Sequence, residues 1–164
     1  MTVRLPIVLP SAAGLLALLW TLAAPGAAAR AGERLAGPVP AVVTKVVDGD
    51  TLEVRARIWL GQELAIRVRL AGIDAPEAGS SCVEERALAL RARAFLADRL
   101  IPDPGISPPV VRLRDIRNGK YAGRVLARVE APPGLDLGGA LLAAGLARRY
   151  DGGRRAPWCA TAEP

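Results

Sequence analysis

Three acids and an arginine stand where they could do chemistry together. Asp50 lies in Val47-Asp48-Gly49-Asp50-Thr51, and Arg69, Asp74 and Glu77 lie in Arg69-Leu70-Ala71-Gly72-Ile73-Asp74-Ala75-Pro76-Glu77. Two carboxylates brought to one mouth repel each other unless a cation sits between them. Oxygen-only ligands with no histidine or cysteine beside them favour a hard ion, Ca²⁺ or Mg²⁺. A third acid nearby can take a proton from water where no imidazole exists to do so. A guanidinium can grip anionic oxygens with two parallel hydrogen bonds. The same segments also read as ordinary turns: Asp-Gly and Asp-Ala-Pro are turn sequences, and Asp48 reads as turn chemistry alone. Glu77 equally reads as a loop charge or a residue of a helix's first turn.

What the chain lacks narrows the chemistry further. It has no histidine and only two cysteines in 164 residues. Serine triads, Cys-His dyads, histidine-containing zinc sites and four-thiolate metal centres are therefore excluded within one chain. The 22 basic residues outnumber the 16 acidic ones, for a net charge of +6, and all but Lys45 and Lys120 are arginine. A basic domain concentrates polyanions such as nucleic acid or an anionic membrane surface. An arginine-rich, alanine-rich and glycine-rich composition also follows from nucleotide bias, so each arginine has to be argued by its position.

The elements that must position these groups are legible from periodicity. Alternation predicts three successive strands: one over 42–47, one through Leu52, Val54, Ala56, Ile58 and Leu60, and one through Leu64, Ile66, Val68 and Leu70. Asp48-Gly49 and Gly61-Gln62 supply the turns. Asp50 and Asp74 share the parity of the apolar positions, which aims both at the open end of the interior. Parity alone turns Arg69 and Arg124 toward solvent. Residues 83–100 change to a helical period, with Val83, Ala87, Leu90 and Ala94 as the apolar stripe and Arg86, Arg91 and Arg93 as solvent candidates. After a Pro-rich break come two more strands, near 110–115 and 121–130. A short helix follows, capped by Asp136 and ended by Gly145. Five short strands with a helix between the third and fourth fit a small five-stranded barrel of the oligonucleotide/oligosaccharide-binding (OB) kind, mainly β with helices (α+β). A flat sheet with helices on one side is the alternative.

The N-terminal 29 residues read as a signal peptide. Arg4 precedes an uncharged run that ends in Ala27-Ala28-Ala29, the small-residue pattern of a cleavage site. A retained membrane anchor is the alternative. Residues 30–40 read as a linker and 41–164 as the folded domain. Export places Cys82 and Cys159 in an oxidising compartment, where an even number of thiols pairs into a disulfide; two unrelated buried thiols are the other reading.

Together with Lys120-Tyr121-Ala122-Gly123-Arg124, the two acidic segments resemble, in order and spacing, the signature segments of the staphylococcal (thermo)nuclease family. Leu141 through Ala147 resembles that family's late helix. The similarity spans about residues 40–150. It implies an OB barrel with about three helices and a Ca²⁺-dependent phosphodiesterase acting on DNA and/or RNA, leaving 3′-phosphate ends. By that resemblance Asp50, Asp74 and the carbonyl of Ala75 would hold Ca²⁺. Glu77 would be the general base or orient the attacking water, and Arg69 and Arg124 would grip the scissile phosphate. Lys120 and Tyr121 would lie near a substrate phosphate, and Tyr150 would flank the nucleotide. Two departures matter: alanine stands at 75 where the family often has threonine, and Ala122-Gly123 stands where many members have one glycine. The implied partner is a nucleic-acid substrate, with no obligate protein partner and a monomeric chain. A non-catalytic basic OB module that binds nucleic acid or a protein is the competing reading, but the few aromatic residues (4%) leave little for base stacking.

Overall fold

The computed structural model describes residues 33–100, 109–120 and 122–159. Contacts divide the chain into Met1–Ala31 and Gly32–Pro164, and all described residues belong to the second unit. The segment read as a signal or anchor, Tyr121, and residues 101–108 of the Pro-rich break lie outside the described residues.

In chain order the elements are β1 (Arg34–Leu35), β2 (Val39–Val46), β3 (Thr51–Trp59), β4 (Gln62–Leu70), β5 (Ile73–Asp74), α1 (Val83–Leu100), β6 (Val110–Asn118), β7 (Arg124–Ala131), β8 (Leu135–Asp136), α2 (Leu137–Ala143) and β9 (Arg148–Arg149). Five of the strands close on themselves. β2 pairs with β3, β3 with β4, β6 with β7 and β6 with β2, all antiparallel, while β4 and β7 run parallel. This is a closed five-stranded OB barrel with helices, as the alternation implies. The stretch read as a linker contributes β1, paired with β6, and the first two residues of β2.

Period-2 alternation builds the interior. Val43 faces Val54, Leu52 faces Val68, Leu70 faces Ala127 and Leu113 faces Val129 across the ladders, and all are buried. A register shift between Val43 and Lys45 turns Val46 inward and leaves Lys45 exposed. The apolar alternation of β3 runs past the barrel's end, so Ile58, Leu60 and Leu64, expected on the core face, are exposed around the Leu60-Gly61 turn.

Helix α1 packs by a different face from the one its larger apolar residues suggest. Val83 and Leu90 are 63% and 61% exposed, and Ala87 and Ala94 are exposed with them. The buried stripe is Ala89, Ala92, Leu96 and Leu100. Ala92 lets the helix come close to the Asp48-Gly49-Asp50 turn, and that close approach decides the face over side-chain size. Helix α2 follows expectation: Asp136 accepts from the Gly138 N–H at 3.2 Å. Gly145, with φ +68°, ends the helix through Gly145 N–H to Leu142 O and Leu146 N–H to Leu141 O. The third helix implied by the family resemblance is not found among the described residues. Beyond β9 the chain turns through Gly152 and Gly153, both at positive φ, and then reaches Pro157, a composition that cannot sustain helical hydrogen bonding.

Candidate functional site

Among the described residues, four polar or charged side chains are buried: Asp50, Thr51, Arg69 and Asp74. All four meet at one end of the barrel. Burying charge away from water is costly unless it is paired, so a fold that gathers its buried polar groups in one place marks that place. Arg69 is the hub. Its Nη1 donates to Asp50 Oδ1 at 2.6 Å and its Nη2 to Asp74 Oδ1 at 3.0 Å.

The turns and strands around the hub explain the geometry. Thr51 and Arg69 are register partners on β3 and β4, so they share the strand face opposite Leu52 and Val68. The Thr51 hydroxyl donates to Asp50 Oδ1 at 3.0 Å. In the turn before β3, Asp48 Oδ1 accepts from the Asp50 N–H at 3.0 Å, which is the turn chemistry expected of it. The chain after β4 bends back at Gly72 (φ +80°), and β5 brings Asp74 onto the same face. Ala75 N–H then donates to Asp50 Oδ2 at 3.2 Å, tying the two acidic segments together. Parity placed Arg69 toward solvent; it is 7% exposed because the returning 71–77 segment covers that face. The acids are buried as expected, but they gather around Arg69 on its own strand face, not in phase with the core.

Burial pushes the Asp50 carboxyl up to about 6, in spite of the lowering pull of Arg69; Asp48 adds to the rise, while the Ala75 N–H and the Thr51 hydroxyl oppose it.

Glu77 stands just outside the buried group, its side chain 52% exposed. Its N–H donates to Glu85 Oε1 at 3.0 Å, fixing the loop to the first turn of α1. Its carboxylate receives Arg155 Nη1 at 2.5 Å, and Arg155 Nε reaches Asp74 Oδ1 at 3.0 Å. Arg155 escaped the sequence reading. A signal for it exists: a Cys82–Cys159 pair ties the tail to the loop after Glu77, which nominates any arginine just before Cys159. That disulfide is formed, with Cα atoms 6.6 Å apart.

The other expected residues lie around this centre. Arg124 is half-buried at the start of β7, opposite Arg67. It lines a cleft of about 540 Å³ whose other wall includes Asp48, Thr51 and Glu53. Thr51 joins this cleft to the buried group through its hydroxyl bond to Asp50, while Asp74, Glu77 and Arg155 line a separate, smaller cavity. Lys120 is exposed in the tight turn before β7, where Gly119 N–H bonds Arg124 O at 2.9 Å. Tyr150 is placed beside the bend after β4. Its N–H bonds Gly72 O at 3.0 Å and its hydroxyl bonds Gly153 O at 2.8 Å.

The donor set suits a hard cation. Asp50, Asp74 and Glu77 set three carboxylates against the guanidinium groups of Arg69 and Arg155, leaving one negative charge over and offering only oxygen ligands. Cys82, Cys159 and Glu84 also lie close together, but the sulfurs are bonded to each other and cannot serve as ligands.

A family model described as "Staphylococcal nuclease homologue" matches residues 67–159. The matched span contains Arg69, Asp74, Glu77, Arg124 and Arg155, while Asp50 precedes it and reaches the site through the β3–β4 pairing. No curated protein matches the chain.

Proposed function

The chain belongs to the staphylococcal nuclease family, and from that premise we propose that it is a Ca²⁺-dependent phosphodiesterase that hydrolyses DNA and/or RNA and leaves 3′-phosphate ends. The observation that carries this reading is the buried Asp50–Arg69–Asp74 cluster at the end of a basic OB barrel, with Glu77 linked to the same Asp74.

Asp50, Asp74 and the carbonyl of Ala75 would hold the cation. When bound, the ion supplies Lewis-acid stabilisation of charge on the phosphoryl oxygens. Glu77, outermost of the three acids, orients a water and takes its proton as the water attacks phosphorus; the P–O5′ bond breaks, the phosphate stays on the 3′ oxygen, and the 5′ oxygen takes a proton from solvent and leaves as the free hydroxyl. Arg69 and Arg124 oppose the negative charge that grows on the phosphoryl oxygens, a role for which a planar fork is suited. The cleft beside Arg124 receives the neighbouring nucleotide, with Lys120, Tyr121 and Tyr150 as substrate contacts. The protein acts as a monomer outside the cytoplasm after loss of residues 1–29, and the seated disulfide supports an oxidising destination.

Digestion of plasmid DNA and of RNA by the purified protein, with Ca²⁺ and then with chelator, tests the reading. Hydrolysis that requires Ca²⁺ and yields 3′-phosphate ends is expected. Tight binding of both polymers without hydrolysis under any divalent ion would make it a binding module.

A further inference from the structure

The tail after β9 returns over the site and is anchored on both sides of one residue. On the near side, Arg148 and Arg149 pair with Asp74 and Ile73, and Tyr150 N–H bonds Gly72 O at 3.0 Å. The chain then reverses through Gly152 (φ +115°) and Gly153 (φ +89°), conformations that glycine alone adopts readily. On the far side, the Arg148 guanidinium lies 4.0 Å from the Trp158 ring centroid and donates to Pro157 O at 2.9 Å. Cys159 is joined to Cys82, which immediately precedes α1. Between these anchors Arg155 enters the site, with one nitrogen on Asp74 and another on Glu77.

Glu77 needs such a partner. Its backbone is fixed, by its own N–H to Glu85 and by Ser80 N–H to its carbonyl at 3.2 Å. Its side chain is half-exposed and turns about three bonds, so a fixed backbone leaves the carboxylate many positions. A base must stand within hydrogen-bond reach of its water, and misplacement by about 1 Å can cost about 10²-fold in rate. A guanidinium held to Asp74 by one nitrogen and to Glu77 by another ties the outer acid to the buried one at a set separation.

We propose that Arg155 is a positioning residue for Glu77, delivered by a C-terminal clasp that the Cys82–Cys159 disulfide closes. The inference rests on the nuclease reading above.

The test is a set of variants of the full chain, assayed on a defined oligonucleotide at saturating Ca²⁺ and checked by thermal melts. Arg155→Gln should lower kcat by about 10- to 100-fold with KM changed less than about 3-fold. Arg155→Lys keeps the charge but cannot span both carboxylates, and should fall between. In a Glu77→Gln background, Arg155→Gln should cost less than about 2-fold more, because the group it positions no longer acts as a base. Cys82→Ser/Cys159→Ser should reproduce the Arg155→Gln kcat, and the two changes should not add.

A folded Arg155→Gln with the parent's kcat overturns the proposal. A faster variant overturns it in favour of a latch that competes with the cation for Asp74. Full additivity with Glu77→Gln overturns it in favour of an independent structural or phosphate-binding role. A parent that cuts no nucleic acid overturns the nuclease reading and this inference with it, which separates that failure from the other three.

Discussion

Gly49 offers a test of how closely the site is packed. A Cβ built at Gly49 would lie 2.8 Å from the Ala92 Cβ of α1 and 2.9 Å from the Ala75 Cβ. Aliphatic carbons rest about 3.5–4.0 Å apart, so Gly49→Ala demands that each neighbour yield by roughly 0.6–1.2 Å. Neither can rotate away, because a Cβ moves only with its backbone, and Ala92 and Ala75 are 0% and 3% exposed. Gly49 is not at positive φ, so the substitution strains packing and not the backbone dihedral. Overpacking costs about 1–3 kcal/mol, and the stiffer unfolded chain returns about 0.4–1 kcal/mol. A net loss of about 1–2 kcal/mol corresponds to a fall in Tm of roughly 3–8 °C for a domain of this size. The functional loss should be larger than the stability loss suggests. Displacing Ala75 breaks its 3.2 Å hydrogen bond to Asp50 and moves the loop that carries Glu77. Turnover should fall by at least about 10-fold at temperatures where the variant is folded. Adding Ala75→Gly removes one of the two colliding carbons and should recover part of the melting temperature. Calorimetry and oligonucleotide turnover on the three variants measure both effects. A Gly49→Ala protein with the parent's Tm and turnover would refute the tight packing of this turn between helix and loop.

Other perturbations separate the roles of the residues. Asp50→Asn should raise the Ca²⁺ needed for half-maximal activity by at least about 10-fold, with excess Ca²⁺ recovering part of the rate; a calcium titration with an unchanged midpoint would count against Asp50 as a ligand. Arg69→Lys retains a charge but cannot bridge Asp50 and Asp74, which the guanidinium meets at 2.6 and 3.0 Å. It should lower single-turnover rates by about 10²-fold and destabilise measurably, since broken buried pairs cost up to about 3–5 kcal/mol. Reducing the disulfide, which spans 77 residues of sequence, should lower unfolding free energy by up to about 4 kcal/mol on the chain-entropy model. Urea melts with and without reductant would detect it, and a change below about 1 kcal/mol would show that the unfolded chain gains little from opening the loop.

The barrel was legible because its strands alternate: Leu52, Val54 and Ala56 inward, Arg55 and Arg57 outward. Both ends of α2 were legible because Asp136 and Gly145 carry local chemistry that needs no tertiary context. Helix α1 was misjudged for a physical reason. Its contact face is chosen by the closeness that Ala92 permits, while the bulkier Val83 and Leu90 remain outside. Arg69 defeated parity because a loop returns over the outer face of β4, which strand periodicity cannot foresee. Asp50, Asp74 and Glu77 stood out by type and spacing, yet Arg155, the partner of Asp74 and Glu77, comes from 78 residues beyond Glu77 and depends on a tertiary clasp.

The most direct test of the site is the single-turnover cleavage rate of a 5′-labelled oligonucleotide by the parent and by Glu77→Gln, both in saturating Ca²⁺. Glutamine keeps the size of the side chain and removes its basicity. The account predicts Ca²⁺-dependent cleavage by the parent and a rate lower by about 10²-fold or more in a variant whose melt and Ca²⁺ affinity stay near the parent's. Equal rates in the two folded proteins would contradict it, because the acid next to the buried Asp50–Arg69–Asp74 cluster would then have no part in the reaction.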